Sequence, residues 1–236
     1  MRIRGRRECK ECGTRWSYYD TGEAACPSCG SLYSVGVDDE RSLHTATSST
    51  LDLAPVHGDV DDKPVRRLAS TAAERCRKFT RGYGFINAGE LQPLDDAYLA
   101  AMELRSVGSE LGRRLEVSDD EELYFTKLLR ADEGSRPPPE SVPESLRALR
   151  GLAYANAIRE YRSDLRTYLD EHPDRPAERV LGRLADHAKR ARALNGDVPP
   201  GDAESLVAAM RDVARYLIDD DEGALAEAES RLERLP

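Results

Sequence analysis

Four cysteines in the first thirty residues, Cys9, Cys12, Cys26 and Cys29, stand as CKEC and CPSC, two C-x2-C pairs thirteen residues apart. A C-x2-C turn reverses the chain within four residues, so two thiolates converge on one ion while backbone N–H groups point at the sulfurs. Two such turns supply the S4 tetrahedron that Zn2+ favours. Gly13 and Gly30 follow the second cysteine of each pair, where the turn needs positive φ, and Pro27 fixes the backbone inside the second turn. The rest of the chain holds one further cysteine, Cys76, so the matched pairs mark a metal site rather than unrelated thiols. Disulfides would require an oxidising compartment, and no secretory signal precedes the pairs; a cytoplasmic protein is expected.

The residues between the pairs suit a small β ribbon. Thr14 to Tyr19 alternates enough for a short strand, Asp20 to Glu23 is a turn, and Ser31 to Val35 can pair back as another strand. A unit this small cannot bury enough apolar surface to fold alone. A structural Zn2+, worth on the order of 10–16 kcal/mol in comparable peptides, would be its core. Trp16, the only tryptophan, is expected to pack over the knuckles rather than stack on a base.

The string from Cys9 to Gly30 resembles the zinc ribbon of the transcription initiation factor B type and, more broadly, the CPxCG-related small zinc fingers common in archaea. The resemblance covers residues 1–36. It implies zinc at the four cysteines and contact with nucleic acid or with transcription or translation machinery. The cyclin-like repeats of true initiation factors are not recognisable in the remainder, so promoter selection does not carry over. The same string, CKECGTRW…GEAACPSCG, also resembles the rubredoxin-type segment of rubrerythrins, which implies iron as the alternative metal. The di-iron bundle of those proteins needs Glu-x-x-His pairs. Arg41, Ala54, Leu169 and Leu184 precede the four histidines by three residues, so that chemistry is not expected.

Forty-four carboxylates face 35 basic residues, of which only five are lysines, in a chain of net charge −9. An acidic, lysine-poor composition resembles the proteins of salt-accumulating halophilic archaea, where excess carboxylate keeps the surface hydrated. Residues 1–36 depart from it. Arg2, Arg4, Arg6, Arg7, Lys10 and Arg15 outnumber four acids there, while the remainder carries −11. A basic tip on an acidic body makes these six residues the candidate nucleic-acid contacts, although four thiolates with Zn2+ add −2 locally.

Residues 37–63 read as an acidic flexible linker: Asp38 to Glu40, Thr45 to Thr50, and His57 to Asp62 are polar. Leu51, Leu53 and Val56 are the residues able to dock it. From 64 to 236 the pattern is helical. Stripes containing Leu68, Ala72, Cys76 and Phe79, then Tyr98, Ala101, Met102, Leu111 and Leu115, mark the first two helices. Ser118 with Glu121 forms a capping box for the third. The run Pro137-Pro138-Pro139 breaks the chain at 134–140, as an exposed loop or a sub-boundary. Four more segments follow, with stripes at Leu146 to Leu169, Val180 to Ala191, Leu206 to Leu217 and Leu225 to Leu235. The expected class is mainly α: a small β ribbon, then an antiparallel bundle of six to seven helices.

No nucleophile–base cluster or phosphate loop is present in the sequence, His172 and His187 read as surface residues, and four cysteines leave zinc no open position for water. Catalysis and a small-molecule substrate are therefore not expected. No apolar run approaches a membrane span. Two functions remain. In one, the protein is an adaptor, its ribbon contacting nucleic acid or the associated machinery and its helices holding a protein partner. In the other, it is a helical interaction scaffold with a purely structural ribbon.

Overall fold

The computed structural model describes residues 1–47 and 50–236. Ser48 and Ser49, part of the polar run read as linker, lie outside the described residues. The chain opens with strands β1 (Arg2–Ile3), β2 (Arg6–Cys9) and β3 (Arg15–Ser17), a turn of helix α1 (Tyr18–Thr21), and strands β4 (Ser34–Gly36) and β5 (Ser42–Leu43). Helices α2 (Ala54–His57) and α3 (Val65–Gly82), hairpin strands β6 (Ile86–Asn87) and β7 (Glu90–Leu91), and helices α4 (Asp96–Leu111) and α5 (Asp119–Leu128) follow. The chain finishes with α6 (Arg147–Leu169), α7 (Arg175–Ala193), α8 (Pro200–Asp219) and α9 (Glu222–Glu233). Mainly α with a small N-terminal strand region is thus the observed class.

The ribbon is a three-stranded antiparallel sheet of order β3-β2-β4. Its central strand, β2, is the arginine-rich segment that by composition reads as a basic tail. Arg7 lies opposite both Trp16 and Gly36. Strand β3 stops at Ser17 because the Ser17 side chain caps α1 by accepting from the Asp20 N–H, and Gly22 closes that turn at φ 64°.

Helix boundaries follow local chemistry. The Asp95 side chain accepts from the Tyr98 N–H at the start of α4, and Ser118 and Glu121 make the reciprocal capping box of α5. Helix α4 ends at Leu111 with Gly112 as its cap, so Leu115, expected on its apolar stripe, lies beyond the helix and is 88% exposed. Helix α6 has apolar residues on several faces, as a central helix must, and buries Tyr154, Ile158, Tyr161 and Leu165. The 134–140 segment is pinned between helices. Arg136 donates to Asp96 of α4 at 2.7 Å and to Glu204 of α8 at 3.1 Å.

Described residues on both sides of Ser48 and Ser49, within the stretch expected to be a flexible linker, pack against the body. Leu43, Leu53 and Val56 join the helical core, the last two with no exposure. Strand β5 pairs antiparallel with β1, while on its other side the Thr45 and Ala46 N–H groups both donate to the Ile86 carbonyl at 2.9 Å. Asp164 on α6 locks this junction, accepting from the Thr45 hydroxyl and the Phe85 N–H, each at 2.7 Å. Gly84 allows the approach: a Cβ there would lie 2.0 Å from the Thr45 carbonyl oxygen. Polarity alone misreads the docked residues because the few apolar ones have no period, and Thr45 and Ala46 are held by the carbonyl of the distant Ile86.

Candidate metal centre

The two cysteine pairs fold into matched turns. The Gly13 N–H donates to the Cys9 carbonyl at 3.0 Å and the Gly30 N–H to the Cys26 carbonyl at 2.9 Å. Just beyond each turn, the Cys9 N–H binds the Thr14 carbonyl and the Cys26 N–H the Ser31 carbonyl, both at 2.9 Å. Gly13 and Gly30 take φ of 74° and 72°, the left-handed conformation that the sequence demands there.

The four sulfurs lie within 4.8 Å of one another. Cys9 Sγ is 3.6 Å from Cys29 Sγ, and Cys12 Sγ is 3.5 Å from Cys26 Sγ. A tetrahedral ion bound at about 2.3 Å has sulfur–sulfur edges of about 3.8 Å, so the donor set fits one such metal ion. With all four corners taken by thiolates, that ion would hold the fold together and leave no position for substrate. Cys9 and Cys26 are buried with Trp16, while Cys12 and Cys29 are exposed. The Trp16 indole N–H donates to the Glu23 carbonyl at 3.0 Å, as expected of a packing residue.

Thr14 sits beside Cys12. Its hydroxyl lies 3.2 Å from the Cys12 sulfur, and hydrogen bonding from the Thr14 side chain, then its backbone, lowers the Cys12 thiol to about 6. Cys29 is pushed up to about 12: although the Ser31 backbone bond favours its thiolate, neighbouring Cys12, burial and Cys9 together outweigh it.

The six basic candidates scatter over the ribbon. Arg2 pairs with Glu171 at 2.9 Å, Arg15 with Glu8 at 2.7 Å, and Arg6 with Asp38. Arg7 donates to the Ser34 hydroxyl at 3.0 Å, and Arg4 to the Asp39 carbonyl at 3.4 Å. The Lys10 ammonium has no partner among the described residues, although its backbone N–H holds the Tyr33 carbonyl at 2.9 Å. Composition foresaw the cations but not the acids that meet three of them.

Two residues read only as strand are instead prominent on the surface. Leu32 and Tyr33, immediately after the second knuckle, are 74% and 69% exposed. The signal available in the sequence was their position: they precede β4 and have no opposing strand to cover them. His57 meets Asp132 at 3.3 Å, and His44 is buried against Tyr18 and Tyr19. Among the described residues no helix is long and apolar enough to cross a membrane.

Neither the curated proteins nor the solved structures contain a match to the chain. The likeness to initiation-factor ribbons therefore rests on the sequence around the four cysteines alone. A family model does match, over ribbon and helical body together, and by that match to residues 1–232 the chain belongs to the family of unknown function DUF7117.

Proposed function

We propose that the protein is a non-catalytic cytoplasmic adaptor. One structural Zn2+ on Cys9, Cys12, Cys26 and Cys29 stiffens a ribbon that docks on a protein component of nucleic-acid machinery. The exposure of Leu32 and Tyr33 beside the knuckle carries this reading. Large apolar side chains held in solvent on a fixed backbone are typical of contact residues. The carboxylates on Arg2, Arg6 and Arg15 favour a protein over a phosphate backbone, because those ion pairs would have to break before a phosphate was bound. Four unpaired, converging thiols suit the reducing cytoplasm.

The test is capture from extract of the source cells by wild type and by a Leu32→Ser, Tyr33→Ser variant of equal metal content and helicity. A one-to-one partner retained by wild type and lost by the variant supports the adaptor. Equal retention, or none by either, contradicts it. A saturable Trp16 fluorescence change with DNA or RNA, lost on replacing Arg4, Arg6 and Arg7 by alanine, would move the contact to nucleic acid.

A second reading, a helical scaffold with a purely structural ribbon, is favoured by the pairing of β1 with β5 and of Arg2 with Glu171. It predicts the same metal dependence and indifference to the Leu32 and Tyr33 changes.

A further inference from the structure

Away from the ribbon, α3, α4 and α6 enclose a cavity of about 440 Å3. Four arginines line it, Arg77 and Arg81 from α3, Arg105 from α4 and Arg159 from α6, against a single carboxylate, Glu160. In a chain with 44 acids and 35 bases, a lining with that excess of positive charge runs against the composition. Like charges brought together in one recess repel, and an anion removes the penalty.

The arginines are also incompletely used. Arg159 pairs with Glu160, and Arg77 with Glu74 at the rim. Arg81 has no hydrogen-bond or ion-pair partner among the described residues, and Arg105 meets only the neutral Thr80 hydroxyl, at 3.3 Å. Neither has a carboxylate partner, so both guanidinium groups are free to meet an anion in the recess.

The floor supplies an independent sign. Tyr98 lines the cavity and is 1% exposed. Its ring packs against Tyr83 and Phe85, yet its hydroxyl has no hydrogen-bond partner among the described residues. That hydroxyl keeps some open surface at the recess, so it can donate to a ligand there. The amide of Asn156, also on the wall, is likewise unpartnered among the described residues. Both donors border a recess of ligand size.

We propose that this cavity binds a small phosphorylated molecule. Arg81 and Arg105 would hold the phosphate oxygens, with the Tyr98 hydroxyl and Asn156 amide donating beneath, and Met102 and the Tyr83 ring would accept the apolar part. Guanidinium forks match phosphate geometry and remain charged at any working pH. The volume admits a sugar phosphate or mononucleotide but no polymer. The proposal is independent of the ribbon and its partner.

The test is isothermal titration of the full, metal-loaded chain with inorganic pyrophosphate, repeated with citrate as a carboxylate anion of similar charge. The expected result is one saturable pyrophosphate site per chain. It should weaken about tenfold or more in Arg105→Gln and in Arg81→Gln, and several-fold in Tyr98→Phe, since each removes a donor to a charged group. Arg190→Gln, on α7, is the control and should bind as wild type, with circular dichroism confirming that every variant is folded. Absence of saturable binding overturns the site. So does equal weakening in the control, which would reduce the effect to general charge. Citrate binding as tightly as pyrophosphate would overturn the phosphate assignment.

Discussion

The Glu103 carboxylate accepts a hydrogen bond from the Tyr154 hydroxyl at 2.9 Å, and neither residue has any exposed surface. Tyr124 of α5 donates to the same carboxylate, and Arg150 of α6 stands 3.5 Å away. Burial raises the Glu103 pKa, against the pull of Arg150 and the two phenols. Arg150 in turn donates to the Tyr124 hydroxyl at 3.0 Å and the Pro137 carbonyl at 2.9 Å, and binds Glu204. Helices α4, α5, α6 and α8 are thereby joined through one buried polar cluster, a position where removing a single partner strands the others.

Replacing Arg150 by methionine keeps much of the volume but leaves Glu103 without its counter-charge. Breaking a buried pair on one side costs about 3–5 kcal/mol. Urea denaturation at constant salt should show that loss, and the double variant Arg150→Met, Glu103→Leu should recover a large part of it. No recovery would mean that the remaining polar partners, rather than the charge pair, set the cost.

The ribbon–body junction makes a second prediction. At Gly84 an alanine Cβ would meet the Thr45 carbonyl, so Gly84→Ala must push the 42–47 segment off the β6–β7 hairpin. Overpacking of this kind costs about 1–3 kcal/mol. Hydrogen exchange should accelerate at the Thr45 and Ala46 amides, with little change in the α8–α9 pair.

His44 makes the junction sensitive to acid. Its pKa is lowered by burial first and then by the Met1 ammonium, which donates to the His44 carbonyl at 3.2 Å. The folded protein therefore keeps this imidazole neutral at a pH where the unfolded chain, with an ordinary value of about 6.5, takes up a proton. Its contribution is complete above that value and is lost as pH falls through the lowered folded value. The drop in melting temperature from pH 7 to 5.5 should be smaller in His44→Phe than in wild type. Both proteins keep the four cysteines, so metal loss affects them alike.

Chelation tests the coupling of ribbon to helices. Because β1 pairs with β5 and Arg2 reaches Glu171, removing the metal should unfold the ribbon and also lower the helical melting temperature. Trp16 emission should shift to the red as its packing against Cys9 and Cys26 is lost. A helical transition indifferent to chelation would show that the body does not draw on the ribbon.

How much of this was legible in the sequence depends on the range of the interaction responsible. The cysteine turns, the Ser118 capping box and the α3 stripe are local, and each was readable from residues within a few positions. Strand β2 was not, because Arg6, Arg7 and Glu8 become a strand only by pairing with Trp16 and Val35. The docking of Thr45 depends on Asp164, more than a hundred residues away. The Arg150–Glu103 cluster was hidden for a similar reason: charged residues on helices read as solvent-facing until the helices are assembled. The turn of Arg105 into the recess was likewise invisible, whereas Tyr98 already stood on the apolar stripe of α4.

The most direct measurement is native mass spectrometry of the chain purified without added metal or chelator. The account predicts one bound ion of zinc mass per chain, lost in Cys26→Ser while the helical circular dichroism remains. A chain without metal, or one carrying two disulfides among Cys9, Cys12, Cys26 and Cys29, would contradict the metal-held ribbon. Iron in place of zinc would keep the tetrahedral site and overturn its identity.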